Sequence, residues 1–176
     1  MIDIIVKSIS ERLDEFIRGK LSVSESKVVV SNLVDISKSV NIEIENKLAV
    51  FLLNIEEDKT AKNLKFQKNQ TDPPSVTVNI YIMFAAYFNS SGYLDSLRYI
   101  SLVIEFFQAN NVFTPLNTPS EIDNMFHVEI YNVSIEEINK LWANIGTNYV
   151  PSVAYKIKQV VFDSNLLSGI TSRIGS

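Results

Sequence analysis

An acidic cluster that follows an apolar run contains the residues best suited to chemistry in this chain. Glu56, Glu57 and Asp58 lie in the segment FLLNIEEDKTAKN, which covers residues 51–63 of 176. Adjacent carboxylates can bind a metal ion or act as a general acid and base, and they can also end a strand in water or form a docking edge. Because Glu56 and Glu57 are consecutive, a strand would point them to opposite faces, where they cannot act as a facing pair.

Lysines follow the acids and indicate a different use for this segment. Lys59, Lys62 and Lys65 come within one predicted loop, so both signs of charge occur in a short stretch. Such a bipolar edge suits contacts that repeat between identical subunits. We therefore hypothesise that the acids and these lysines form an interface, and the alternative is a strand end that runs into water.

The single histidine is a weaker candidate for chemistry. His127 alternates with Glu129 along a predicted strand. Side chains two residues apart on a strand are separated by about 7 Å, too far to meet at one metal ion without a third element. An enzyme that uses His127 and Glu129, or Glu56 and Glu57, stays as an alternative. No nucleophile elbow, P-loop or dinucleotide fingerprint occurs, so we expect no cofactor.

The composition limits the class of protein. Apolar residues make up 46% of the chain and charged residues 20%, which is typical of one globular domain with a real core. The absence of cysteine excludes disulfides, thiolate catalysis and cysteine-based metal sites. A formal net charge of −4 provides no overall basic surface, and we expect neither a nucleic-acid nor a membrane partner. The first residues lack the basic region and the long apolar region of a signal peptide, so we expect no such signal, and no apolar stretch is long enough to cross a bilayer.

Hydrophobic periodicity predicts three helices. The first is amphipathic and is expected to end at Gly19. The second covers about residues 93–110, and its apolar positions lie on more than one side, which indicates deep burial. Ser134 and Glu137 form a capping box for a short helix that ends near Gly146.

Alternating or continuous apolar runs predict the strands. They lie at about residues 27–33, 47–55, 75–88, 124–133 and 151–162. The second is nearly all apolar, so we expect it to be central and covered on both faces. Together these elements predict an α+β fold with a mostly antiparallel sheet flanked by helices. Residues 1–163 are predicted to form one domain, and residues 164–176 a Ser/Gly-rich C-terminal tail.

Four segments in order carry a resemblance to a known family. They read FLLNIEEDKTAKN, PPSVTVNIYIMFAAYF, YLDSLRYISLVIEFFQANNVFTPLN and EEINKLWANIGTNYVPSVAYKIK. The chain resembles the cap, or tube-terminator, family of phage-tail-like contractile injection systems, typified by the Photorhabdus virulence cassettes and the antifeeding prophage. Thr147 and Asn148 stand where that family tends to have glycines. Longer members carry an additional C-terminal part.

The resemblance implies a structural protein with a fold similar to phage tail terminators. Members of that family form a homohexameric ring that ends the inner tube distal to the baseplate and contacts the last sheath layer. The implied partners are further copies of the chain, the inner tube protein and the sheath protein. The implied place of assembly is the bacterial cytoplasm, within a contractile particle that can be released from the cell.

The predicted interface has a second part in the tail. Leu166, Leu167 and Ile170 could pack onto a neighbouring subunit or the sheath. A different class of function stays open beside the ring, namely a monomeric module that recognises a peptide or protein at a sheet edge.

Overall fold

Three helices and six strands form the part of the chain that the computed structural model describes, which is residues 1–34, 41–59, 76–117 and 125–162. The helices are α1 (Ile2–Leu21), α2 (Tyr93–Ala109) and α3 (Ile135–Ile145). The strands are β1 (Val28–Val30), β2 (Lys47–Glu57), β3 (Val76–Tyr87), β4 (Val112–Phe113), β5 (Phe126–Tyr131) and β6 (Ser152–Phe162).

The strands form one mixed sheet in the order β1-β2-β3-β6-β5-β4. Strand β1 runs parallel to β2, and all the other neighbouring pairs are antiparallel. The predicted α+β fold, with a mostly antiparallel sheet flanked by helices, is confirmed. The long inner strands β3 and β6 are the centre of the sheet, because the run from Val76 to Tyr87 is apolar enough to be covered on both faces.

The prediction that residues 47–55 form a central strand is only partly right. Strand β2 is second from the edge, and its neighbour β1 is three residues long. Residues 48–51 are therefore buried on both faces, whereas most of residues 52–57 are exposed. The apolar run does form a strand, as predicted. How much of that strand is covered depends on the length of the neighbouring strand β1.

The two faces of the sheet are covered by different helices. On one side, which we call the two-helix face, Val50 and Phe84 pack in a core that includes Leu13 of α1 and Phe107 of α2. The rings of Phe84 and Phe107 lie 5.3 Å apart between centroids. On the opposite side, which we call the α3 face, a smaller core joins the sheet to Trp142 of α3. It contains Leu33, Ile44, Ala49, Phe51, Met83, Ala85 and Ala154.

Two helix predictions need correction. Helix α1 continues past Gly19 to Leu21, which packs against the core, and Ser22 ends it in the left-handed conformation with φ of 55°. Helix α2 buries one side only, since Leu94 is 79% exposed and Ile104 41% exposed. The capping box of α3 is confirmed. Glu137 N–H donates to the Ser134 hydroxyl at 3.2 Å, and Ser134 N–H donates to the Glu137 carboxylate at 3.0 Å.

Candidate interface at the outer edge of the sheet

The acidic segment lies at the end of β2, beside β3. The register places Glu56 opposite Asn79 and Glu57 opposite Val78, and a bulge falls between Leu52 and Asn54. Val78 belongs to the core of the two-helix face, so Glu57 lies on that face and Glu56 on the α3 face. The predicted divergence of the two glutamates is confirmed, and they do not form a facing carboxylate pair.

Glu56 is the outer end of a row of contacts across the α3 face. Its carboxylate accepts hydrogen bonds from the Tyr81 hydroxyl at 2.7 Å and from Asn54 Nδ2 at 3.3 Å. The Tyr131 ring packs edge-on against the Tyr81 ring at 4.8 Å, and Lys156 Nζ lies 5.4 Å from the Tyr81 ring centroid. Burial and the hydrogen bond to Glu56 raise the pKa of Tyr81 to about 12. At neutral pH Tyr81 is therefore a hydrogen-bond donor and not a base.

The residues of the enzyme alternative lie at the other side of this face. His127 is opposite Lys158 in the register, and Glu129 is opposite Lys156. Glu129 forms an ion pair with Lys158 at 2.5 Å. The carboxylate that His127 would need as a partner is thus already paired with the ammonium group of Lys158. Within residues 1–34, 41–59, 76–117 and 125–162, no group of three His, Asp or Glu side chains could hold a metal ion.

The remaining predicted interface residues are only partly placed. Asp58 N–H donates to the carbonyl of Thr77 at 2.8 Å, which holds the chain beside β3 after β2 ends. Lys59 is exposed next to it. Lys62 and Lys65 lie outside the described residues, and so do Leu166, Leu167 and Ile170.

The structure reveals a feature that the sequence analysis missed, the outer edge of β2. Strand β1 pairs only with residues 48–50, and Ser31 N–H then donates to the carbonyl of Val50 at 3.1 Å. Beyond that point no strand of the described chain runs along the outer side of β2. Leu52 and Ile55 are 46% and 41% exposed there.

A groove of about 600 Å³ opens at the edge of the sheet where β1 leaves β2, mainly on the α3 face. Its apolar lining comes from three separate parts of the chain, and its polar lining from α3 and Asn32. The apolar residues are Leu33, Val34, Phe51, Leu52, Leu53, Leu141 and Ile145, and the polar ones are Asn32, Glu137, Lys140 and Asn144. The bulge in β2 contributes Leu53 to this lining. The groove is therefore an apolar depression with a charged margin, directly beside the open edge.

On the two-helix face the same edge is also apolar. Val30 is 52% exposed and pairs with Val50, whereas Ile55 pairs with Ile80 of the core. Alternation places Leu52 between them on this face. The apolar run of residues 51–53 was the available sequence signal, but it equally predicted a covered strand.

The fold and the exposed strand edge place the chain in a structural class, and the sequence comparison then gives its family. The chain is an α+β domain with a mixed six-stranded sheet whose second strand is only half covered. It belongs to the family described as the Pvc16 N-terminal domain, whose sequence model matches residues 3–173. The resemblance derived from the sequence is thus confirmed. No curated protein matches the chain.

Two solved structures share this fold. One is a cryo-EM structure of an extracellular contractile injection system, the PVC sheath/tube terminator in its extended state, with a TM-score of 0.57 and 13% identity. The other is the cryo-EM structure of the anti-feeding prophage cap, a tube-terminating cap, with a TM-score of 0.56 and 13% identity. The matches cover 90% and 89% of this chain. The chain spans 57% and 55% of those two chains, a little more than half of their length.

Proposed function

We propose that this chain is a structural cap that ends the inner tube of a contractile injection system at the end distal to the baseplate. It acts as a homohexameric ring and contacts the last layer of the sheath. The observation that carries this proposal is the shared fold over about nine-tenths of the chain with two proteins described as a sheath/tube terminator and a tube-terminating cap. Family membership over residues 3–173 supports it independently.

The geometry of the described residues fits a structural role. Two carboxylates of the α3 face are engaged with neighbouring side chains, Glu56 with Tyr81 and Glu129 with Lys158. Among the described residues, an exposed apolar surface lies at the β2 edge. A ring built from heterologous contacts needs two different complementary patches on each subunit, and this edge supplies one of them.

We also propose the binding partners of the chain and the place where it assembles. The partners are other copies of the chain, the inner tube protein and the sheath protein, with assembly in the bacterial cytoplasm. In the described part of the chain, no helix is both long and apolar enough to cross a membrane. We further propose that Glu56, Glu57, Asp58, Lys59, Lys62 and Lys65 contribute to the contact between subunits.

Solution mass and negative-stain electron microscopy test this function. We expect the purified chain to form rings with sixfold symmetry as its concentration rises, and to bind one end of tubes assembled from the inner tube protein. A chain that stays monomeric at all concentrations and leaves tube length unchanged would contradict the proposal. The open strand edge would then favour the monomeric peptide-binding module.

A further inference from the structure

We infer that the outer edge of β2, over residues 52–56, accepts an added strand, and that residues 166–174 of a second copy of the chain supply it. This inference rests on the proposed ring and names the contact that closes it. Three properties of the edge carry the argument, namely its backbone, its two faces and its charge.

In the part of the chain that the structure describes, the backbone of this edge has little of the usual protection. Natural proteins cover or blunt open edges with lysines, prolines or very short strands, because such edges pair with other chains. Strand β2 continues for seven residues past the last residue paired with β1, and residues 51–57 contain no lysine and no proline. Within the described residues, the bulge at Leu53 and the charges of Glu56 and Glu57 blunt this edge, and the bulge also helps to form the groove.

Both faces of the edge present apolar surface to a strand placed there. Successive side chains of an added strand alternate between the two faces. Those on the α3 face would meet the groove lined by Leu33, Phe51 and Leu53. Those on the other face would meet Val30, Leu52 and Ile55. The occupant must therefore be an extended segment with apolar side chains on both sides.

The sequence after β6 has this pattern. Residues 166–174 read LLSGITSRI. In a strand Leu166, Ile170 and Ile174 share one side, which fits the side of Leu52 and Ile55. Leu167 and Arg173 share the other side, which fits the groove and the carboxylate of Glu56.

Arg173 is the only charged side chain in residues 164–176, and its sign is opposite to that of the acidic end of β2. The family match also continues through residue 173, beyond the last described strand.

The length of chain between β6 and Leu167 favours a second copy as the donor. Phe162 pairs with Val76, at the end of the sheet where β2 also ends. To reach the groove beside Phe51, the same chain would have to cover about 23 Å along the sheet and about 14 Å across it, roughly 27 Å in all. Five residues, from Phe162 to Leu167, span at most about 18 Å. Leu167 of the same chain therefore cannot fill the groove, whereas a neighbouring subunit has no such restriction. Donor and acceptor are then different parts of one subunit, as a heterologous ring requires.

Two variants of the 176-residue chain test the inference by complementation. The donor variant carries Leu167→Asp and Ile170→Asp, and the acceptor variant carries Leu52→Lys and Ile55→Lys. Each variant alone should be monomeric, with the melting temperature of the wild-type monomer. An equimolar mixture should form dimers and no rings, because each pair retains one intact contact. Rings formed by either variant alone, or a mixture that stays monomeric, would overturn the inference.

A peptide measurement separates this inference from the proposed function. A fluorescent peptide of residues 164–176 should bind the donor variant, whose acceptor edge is vacant. The peptide with Arg173→Glu should bind at least tenfold more weakly, and the acceptor variant should not bind either peptide. If wild-type chains form no rings yet bind the peptide, the strand acceptor stands and the ring function fails. If rings form but the peptide does not bind, the inference fails and the ring function stands.

Discussion

The Tyr81 hydroxyl donates a hydrogen bond of 2.7 Å to the carboxylate of Glu56, and it connects the acidic end of β2 to the centre of the sheet. Tyr81 is 6% exposed, whereas Glu56 is on the surface. Glu56 is therefore not a carboxylate that simply ends a strand in water. Burial is the main cause of the raised pKa of Tyr81, and this contact adds to it. The contact also connects mutations of Glu56 to the stability of the isolated subunit.

Alkaline pH should weaken the fold through buried tyrosines. Burial raises the pKa of Tyr155 to about 12, and burial together with Glu56 does the same for Tyr81. An unfolded tyrosine ionises near pH 10, so the stability that depends on the neutral hydroxyls is fully present below pH 10 and is lost as pH rises from about 10 to 12. Urea unfolding across this range should show the decline.

Tyr81→Phe provides the control for that pH dependence. Loss of the hydrogen bond to Glu56 should cost about 1 kcal/mol at pH 7, because Glu56 can be solvated once its partner is gone. The decline above pH 10 should become shallower but persist, since Tyr155 still titrates. A variant with the same alkaline decline as the wild type would show that Tyr81 does not contribute to it.

Trp142 should be the residue that holds α3 on the sheet. It is 4% exposed, packs in the core of the α3 face, and contacts the Tyr149 ring edge-on at 5.6 Å. Trp142→Ala should lower the free energy of unfolding by about 3–5 kcal/mol. Trp142→Phe should cost clearly less, because Nε1 has no hydrogen-bond partner among the described residues. An unchanged melting temperature in Trp142→Ala would contradict the anchoring role.

The features that the sequence predicted correctly are those decided by nearby residues. Ser134, Glu137 and Gly146 determine both ends of α3 within one short segment, and the structure has the predicted caps. The alternation in residues 76–87 likewise determines β3 without reference to distant chain. The α+β fold class followed from such local patterns taken in order.

The open edge could not be predicted because it depends on where separate segments meet. The groove joins Leu33, Phe51 and Ile145, which are far apart in sequence. The apolar run of residues 51–53 was compatible with a covered strand, and only the three-residue length of β1 leaves Leu52 exposed. Gly19 was misjudged for a related reason, because Leu21 gains core packing that extends the helix past it.

Asp14 should determine whether β1 stays attached to the domain. This buried carboxylate accepts hydrogen bonds from the backbone N–H groups of Lys27 and Val28, at 2.6 and 3.0 Å. Asp14→Ala leaves both donors without this acceptor and should cost about 2–3 kcal/mol. Hydrogen exchange should increase first in residues 27–30. Asp14→Asn keeps the acceptor oxygen and should lose less, and equal losses in the two variants would contradict the role of these hydrogen bonds.

Charge reversal at the acidic end of β2 should affect assembly far more than folding. Glu56→Lys combined with Glu57→Lys removes the hydrogen bond from Tyr81, and the loss of that bond should cost the isolated subunit about 1–1.5 kcal/mol. A ring repeats the contact at every interface, so the same change should abolish rings and capped tubes. Raised salt should weaken wild-type assembly in the same direction, because exposed charges are screened.

Glu43→Lys with Glu45→Lys changes the net charge equally at exposed positions elsewhere and should leave rings intact. Normal rings in the Glu56 and Glu57 variant, seen by electron microscopy beside this control, would mean that the two glutamates lie outside the contact between subunits.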